Sequence, residues 1–234
     1  EPLIQEMLHA EWLAVDIECT STPGAWKLLC VGFSDHANRS LVIPVRDASD
    51  VHDIRRLVGS HVPKVLQNGS FDVTVLAHHG IKVNNYAWDT MLAHHYLFPE
   101  SASGKDEISR QTGKRRTSAF QKGLAFQTSI YTREPYYKDD GKTWREGGDE
   151  QVLWLYNGKD AAVTREIRDV QQRELRDFGV EQVFKHEMSL VEPLLFATTR
   201  GIKIDLAKRS QFERELNEQL EVAQTALDKE VGHP

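Results

Sequence analysis

The stretch WLAVDIE, residues 12–18, is apolar and β-favouring but carries two acidic side chains. Its pattern predicts a strand in which Asp16 and Glu18 project from the same face, with Cα atoms roughly 7 Å apart. Burying ionised carboxylates in an apolar layer is unfavourable unless a cation compensates their charge. The strand therefore predicts a metal ion, a basic partner or an exposed face at this point.

The segments that follow predict a mixed α/β fold. Two further strands are expected at Trp26–Ser34 and Ser40–Val45, joined by a polar turn. Helical spacing of apolar residues predicts helices over Asp50–Ser60 and Ser70–His79, with a short strand at Pro63–Gln67 between them. Three strands, a helix, a strand and a helix are the order of a mixed sheet flanked by helices.

The second half of the chain is predicted to be mainly helical. Residues 104–148, which contain several glycines, are expected to be the least regular part. Apolar residues recur at helical steps in four segments, and glycines 179 and 201 separate the last three. The predicted helices are Asp89–Leu97, Asp149–Phe178, His186–Arg200 and Leu206–Glu230.

The composition sets limits on size and location. With 234 residues and 40% hydrophobic residues, the chain can form one large domain, or one domain plus part of another. No apolar run approaches the ~20 residues of a membrane span. The two cysteines, Cys19 and Cys30, are too few for a disulfide framework, so an intracellular, cytoplasmic location is expected. Glu1 is not a start methionine and no signal peptide follows it, so the chain is expected to be a piece of a longer protein.

Positive charge is concentrated in one segment. The net charge is −6, yet Gly104–Lys122 holds six basic and two acidic residues, including Lys114, Arg115 and Arg116. A basic strip beside an acidic body could guide a polyanion towards a carboxylate-rich site. A solvated polar loop is the alternative interpretation of the same composition.

Two further acidic residues lie beside apolar patterns. Asp72 precedes the apolar side chains of a predicted helix, where it could act chemically or simply as a helix cap. Asp160 lies within the apolar stripe of the long helix, and Tyr156 lies one turn earlier on the same face. The Tyr156 hydroxyl could therefore reach whatever Asp160 binds.

Together these motifs resemble the three exonuclease motifs of the DnaQ-like superfamily. They are AVDIEC with Asp16 and Glu18, QNGSFD ending in Asp72, and YNGKDA with Tyr156 and Asp160. Tyrosine rather than histidine before the last acid resembles the DEDDy branch. Within that branch the chain is similar to the proofreading domain of family A DNA polymerases, of the bacterial polymerase I and phage type.

The resemblance implies a ribonuclease H-like fold and 3′–5′ hydrolysis of DNA ends with two Mg²⁺ or Mn²⁺ ions. It implies that Asp16 bridges both ions, that Glu18 and Asp160 complete the first site, and that Asp72 acts on the second. Tyr156 would orient the attacking water. Asn68 matches a position that contacts the substrate strand, although a turn residue at the end of a strand is an equal interpretation. Cys19 stands where threonine is frequent in the family, at a contact to the terminal nucleotide.

The resemblance also implies a domain division. Residues 1–185 would form the exonuclease domain, and residues 186–234 would begin the thumb of a polymerase domain, which would be the partner within the parent chain. No polymerase active-site motif is found, so this piece is not expected to synthesise DNA. Two alternatives remain: an RNase D-like exoribonuclease, and an inactive nuclease-like module that only binds single strands.

Overall fold

The computed structural model describes residues 1–20, 25–99, 107–108, 115–116, 122–139, 144 and 148–232. The chain divides into two compact units, Glu1–Thr199 and Arg200–Pro234. The first unit contains a five-stranded sheet flanked by helices. The elements of the described residues are α1 (Pro2–Met7), β1 (Leu13–Cys19), β2 (Leu28–His36), β3 (Arg39–Pro44), α2 (Ala48–Val58), β4 (Lys64–Leu66), α3 (Ser70–His78), β5 (Tyr86–Asp89), α4 (Thr90–Leu97), β6 (Glu107–Ile108), β7 (Arg115–Arg116), α5 (Leu124–Tyr131), α6 (Glu150–Asp177), α7 (Glu181–Arg200) and α8 (Leu206–Val231).

The five-stranded sheet has the order β3-β2-β1-β4-β5, so β1 is its central strand. β1 pairs antiparallel with β2 and parallel with β4, and β4 pairs parallel with β5. Asp16 lies opposite Gly32 in this register, and the register shifts at Glu18 and Cys19. The sheet is mixed, which confirms the predicted α/β class.

Alternation along β1 directs its side chains into two different layers. Leu13, Val15 and Ile17 are buried in a core that includes residues of α1, α2 and α3. Ala14 points to the opposite face, where the core includes residues of α4, α5 and α6. Because side chains two positions apart share a face, Asp16 and Glu18 lie on the same side as Ala14, towards α6.

Helix α6 packs unusually close to the sheet at two glycines. A Cβ atom on Gly32 would lie 2.6 Å from Oδ1 of Asn157, and one on Gly158 would lie 2.7 Å from Oγ of Ser40. The absence of a side chain at Gly32 therefore allows α6 to approach β2 directly beside Asp16. This close approach brings the acidic residue of α6 to the acidic strand.

Several elements depart from the sequence prediction. Helix α1, strand β5 and helix α5 were not predicted, and α7 begins at Glu181 rather than at His186. Strand β5 has only four residues and adds the fifth strand of the sheet, so its short apolar pattern gave little signal. Helix α5 lies within the segment expected to be least regular, and its burial against α6 stabilises it.

The second unit contains helix α8. The Asp205 carboxylate accepts the backbone N–H of Lys208 at 3.0 Å, and Gly232 ends the helix in the left-handed conformation. Among the described residues, no helix combines the length and apolar composition that crossing a bilayer requires.

Candidate active site

Three of the predicted acidic residues form one group. Carboxylate oxygens of Asp16, Glu18 and Asp160 all lie within 4.8 Å of one another. Asp16 and Glu18 come from the central strand, and Asp160 comes from the buried face of α6. The geometry therefore unites residues that are more than 140 positions apart in sequence. We call these three residues together with Asp72 the acidic cluster.

Asp72 lies on the other side of β1, in the first turn of α3. Its side chain is 7% exposed and receives the backbone N–H of Ile17 on β1. The N-cap of α3 is Gly69, and no side chain caps this helix. The interpretation of Asp72 as a helix cap is therefore wrong, because its carboxylate faces the acidic strand instead.

The electrostatics show that the cluster is crowded. Burial and the carboxylates of Asp160 and Asp72 hold the pKa of Asp16 well above its usual range. Burial and the charge of Asp160 raise the pKa of Glu18 to about 7. Burial raises the pKa of Asp72 to about 7, although backbone N–H groups oppose the shift. Such shifts are expected where carboxylates share a site that a cation could neutralise.

A buried carboxylate fixes the turn that leads to Asp72. Asp89 accepts the backbone N–H groups of Asn68 at 3.3 Å and Gly69 at 3.0 Å. Asn68 has φ 55°, in the left-handed region, and a Cβ on Gly69 would lie 2.4 Å from Cβ of Leu66. Asn68 therefore serves as a turn residue at the end of β4. Its predicted contact with substrate stays a prediction.

Tyr156 and Asp160 share the face of α6 that meets residues 137–138. The Tyr137 hydroxyl donates to Oδ1 of Asp160 at 2.6 Å. The Lys138 ammonium donates to both oxygens of Asp160 and lies 3.0 Å from the Tyr156 hydroxyl. Both carboxylate oxygens of Asp160 therefore have hydrogen-bond partners. Lys138 contacts the Tyr156 hydroxyl as well as Asp160.

Asn157 positions the carboxylate of Asp16. Its amide donates to Oδ2 of Asp16 at 2.7 Å, and its side-chain oxygen lies 3.7 Å from Sγ of Cys30. Asn157 is fully buried, so the sheet and α6 hold this amide in place. Cys19 lies at the end of β1, where burial and the nearby carboxylates of Asp72 and Glu18 raise its pKa to about 11. That neighbourhood places Cys19 beside the cluster as a neutral thiol.

The basic segment is only partly described. Lys114 lies outside the described residues, and Arg115 and Arg116 form strand β7 opposite β6. At the end of the segment, Lys122 lies 3.0 Å from Nδ1 of His95 on α4. The predicted role of this segment in binding a polyanion stays a prediction.

Sequence reasoning missed Tyr137, Lys138 and Asn157. The first two lie in the segment expected to be irregular, where no periodic pattern could assign a basic residue to a distant carboxylate. Asn157 had a detectable signal, because it lies three positions before Asp160 and so adjoins the same helix face. A polar amide at that position of an apolar stripe indicates a buried partner.

The donor set fits hard divalent cations. Carboxylate oxygens are the ligands that Mg²⁺ and Mn²⁺ prefer, and three residues of the cluster offer oxygens within reach of one ion. Among the described residues, no histidine or thiol joins this group, so the set does not resemble a zinc site.

The chain is similar to known DNA polymerases and nucleases. DNA polymerase I of Synechocystis sp. is 28% identical over 172 residues, which cover 73% of this chain and 16% of that polymerase. The POL domain of Pol1 from M. smegmatis, solved with DNA primer-template and dNTP, matches with a TM-score of 0.71 at 15% identity, over 99% of this chain and 36% of that chain. Escherichia coli RNase D, an exoribonuclease, matches with a TM-score of 0.60 at 17% identity, over 83% of this chain and 47% of that chain.

These structural matches confirm the predicted ribonuclease H-like fold. This chain spans 16% of the Synechocystis polymerase and 36% of the M. smegmatis chain, which is well under half of each. The model of a 3′–5′ exonuclease family of A-type DNA polymerases matches residues 1–176. That range includes all five residues of the three motifs. The chain therefore belongs to the 3′–5′ exonuclease family found in A-type DNA polymerases.

Proposed function

We propose that the chain removes nucleoside monophosphates from DNA 3′ ends, as the proofreading part of a family A DNA polymerase. The observation that carries the proposal is the acidic cluster, in which oxygens of Asp16, Glu18 and Asp160 lie within 4.8 Å of one another. A family of 3′–5′ exonucleases supplies the reaction class. Because the Synechocystis relative is a DNA polymerase, DNA rather than RNA is the proposed substrate of this chain.

Each residue of the cluster has a proposed role. Asp16, Glu18, Asp72 and Asp160 would hold two Mg²⁺ or Mn²⁺ ions, which supply an acidified water and stabilise charge on the leaving 3′ oxygen. Asn157 keeps the Asp16 carboxylate in position through its 2.7 Å hydrogen bond. The Tyr156 hydroxyl would orient the attacking water, because it is hydrogen-bonded to Asp160 and lies near the carboxylates of Asp16 and Glu18.

Substrate contacts are proposed for two other groups of residues. Cys19 lies near the carboxylates of Asp72 and Glu18, and Asn68 lies in the turn four residues before Asp72, so both could contact the terminal nucleotides. Lys114, Arg115 and Arg116 would contact phosphates further along the strand. Removal of 3′ ends needs no base readout, so stacking and backbone contacts would suffice.

The C-terminal region is proposed to be the start of a polymerase thumb. Residues 186–234 would then follow an exonuclease domain at residues 1–185, with the polymerase domain of the parent chain as partner. The 16% share of the Synechocystis polymerase that this chain covers is consistent with one part of such a protein.

The direct test is release of mononucleotides from 3′-labelled single strands with Mn²⁺ present. We expect release from DNA, with a slower rate on the matched RNA strand. Faster release from RNA would favour the RNase D-like alternative, which the similarity in fold to that exoribonuclease raises. A folded sample that binds single-stranded DNA but releases no nucleotide in Mn²⁺ would be an inactive binding module.

Tyr156→Phe should lower kcat by about 10- to 1000-fold, the range expected for a hydroxyl that positions a reacting group. The ring still packs against Tyr137 at 6.0 Å between ring centroids, so the fold should be unaffected. Single-turnover rates with Mn²⁺ and unchanged thermal unfolding would check this. If the variant matches the wild type, Tyr156 serves only in packing.

Neutralising Lys114, Arg115 and Arg116 together should raise KM and leave kcat nearly unchanged. If three charges contact phosphates, the log–log salt slope on single-stranded DNA should fall by about two units, at ~0.7 per contact. Triple replacement of the exposed Lys203, Lys208 and Arg209 provides the charge-matched control. An unchanged salt slope would favour the alternative interpretation of this segment as a solvated polar loop.

A further inference from the structure

Lys138 brings a positive charge into the acidic cluster. Its ammonium donates to both oxygens of Asp160 and lies 3.0 Å from the Tyr156 hydroxyl. The side chain is 13% exposed, and its ammonium lies 4.7 Å from the ring centroid of Tyr156 and 5.3 Å from that of Tyr137. A carboxylate, a hydroxyl and two aromatic faces thus surround one ammonium group.

The charge of Lys138 also acts beyond Asp160. At Asp16 and Glu18 the largest influence is burial, which raises the pKa, and the Lys138 ammonium opposes that rise. Lys138 therefore offsets part of the repulsion among the carboxylates of Asp16, Glu18 and Asp160. Lys159, on α6 nearby, has a different partner, since its ammonium lies 3.7 Å from Glu134.

The oxygens that Lys138 occupies are those that a divalent cation at Asp160 would use. An ammonium and a divalent cation repel each other, so each weakens the binding of the other to the same carboxylate. The lysine stem is flexible, which allows its ammonium to move while the backbone stays in place. Binding of a metal ion and the Lys138–Asp160 pair are therefore alternatives.

We propose that Lys138 is an internal counter-ion that competes with divalent cations for Asp160, so that metal binding requires its ammonium to leave this carboxylate. The inference rests on the proposed metal-dependent function. Lys138 is in this sense a positioning residue. Its ammonium contacts both Asp160 and Tyr156 until a metal ion replaces it as the partner of the Asp160 carboxylate. Removing its charge should strengthen metal binding, whereas removal of a purely structural contact should weaken binding or leave it unchanged.

The test is calorimetric titration of the whole chain with Mn²⁺, without nucleic acid. Lys138→Gln should bind Mn²⁺ about tenfold or more tightly than the wild type, because a neighbouring positive charge is gone. Lys138→Arg keeps the charge and should stay within about threefold of the wild type, and Lys159→Gln should match it. Equal or weaker Mn²⁺ binding by Lys138→Gln would overturn the proposal, as would failure of every variant to bind.

Thermal unfolding gives a second readout that does not depend on activity. In EDTA, Lys138→Gln should unfold at a lower temperature than the wild type, and Mn²⁺ should raise its Tm by more. If this variant is unfolded in EDTA, recovery of its circular dichroism on Mn²⁺ addition supports the proposal, and no recovery contradicts it. Wild-type protein that binds Mn²⁺ yet releases no nucleotide would contradict the proposed function alone.

Discussion

Asp16→Ala and Asp160→Ala should each lower nucleotide release by at least about a thousandfold, since under the proposed function each would remove a metal ligand worth several kcal/mol in the transition state. Both residues contribute oxygens to the group within 4.8 Å. The measurement is the single-turnover rate of mononucleotide release from 3′-labelled single-stranded DNA in saturating Mn²⁺. Activity within about tenfold of the wild type in either variant would contradict the assignment of the site.

The two variants should differ in stability, which separates loss of a ligand from loss of the fold. Asp16→Ala relieves repulsion in a crowded cluster but leaves the buried Asn157 amide without its acceptor, so its Tm in EDTA should stay close to that of the wild type. Asp160→Ala leaves the Lys138 ammonium and the Tyr137 hydroxyl without their shared acceptor, so its Tm in EDTA should fall. Equal Tm values for the two variants would show that the Asp160 contacts contribute little.

Asp72→Asn should stabilise the chain in EDTA by about 1–3 kcal/mol near pH 8, because it removes a buried carboxylate whose ionisation opposes folding. Burial raises the pKa of Asp72 to about 7 from an ordinary 3.8. At pH values between these two pKa values, a carboxylate whose pKa is higher in the folded state takes up a proton when the chain folds. Its destabilising effect is therefore largest above about pH 7 and disappears as the pH falls towards about 4.

The check is thermal unfolding in EDTA across that pH range. The wild type should gain stability as the pH falls through about 7, and the advantage of Asp72→Asn should shrink over the same interval. Asp177→Asn, at an exposed position at the end of α6, should change stability by no more than about 0.5 kcal/mol. A constant advantage at every pH would mean that packing, rather than ionisation, explains the effect. If Asp72 is a metal ligand as proposed, saturating Mn²⁺ should reverse the order of stability, because Mn²⁺ would bind the wild type more tightly than the variant.

Much of the site could be predicted from the sequence because its residues contradict the local patterns around them. Asp16 and Glu18 interrupt an apolar strand, and Asp160 interrupts the apolar stripe of α6. A single sequence is enough to recognise an acidic residue at a position where the periodicity predicts an apolar one. Asp72 lacked this property, since an acidic residue in the first turn of a helix is ordinary, and only its contact with β1 distinguished it from a cap.

The sequence by itself determined the mixed α/β class and the long helix α6, because periodicity and composition are local properties. It also marked Asp16, Glu18 and Asp160 as acidic residues in apolar patterns, whereas Asp72 and the role of Tyr156 were indicated only by the resemblance of the three motifs. Only the tertiary structure decided that β5 joins the sheet, that Gly32 lets α6 approach Asp16, and that Lys138 contacts Asp160. Lys138 and Asp160 are 22 positions apart in sequence, and no period of a helix or strand relates them. Their pairing depends on how residues 137–138 pack against α6, and packing between distant segments leaves no mark in local patterns.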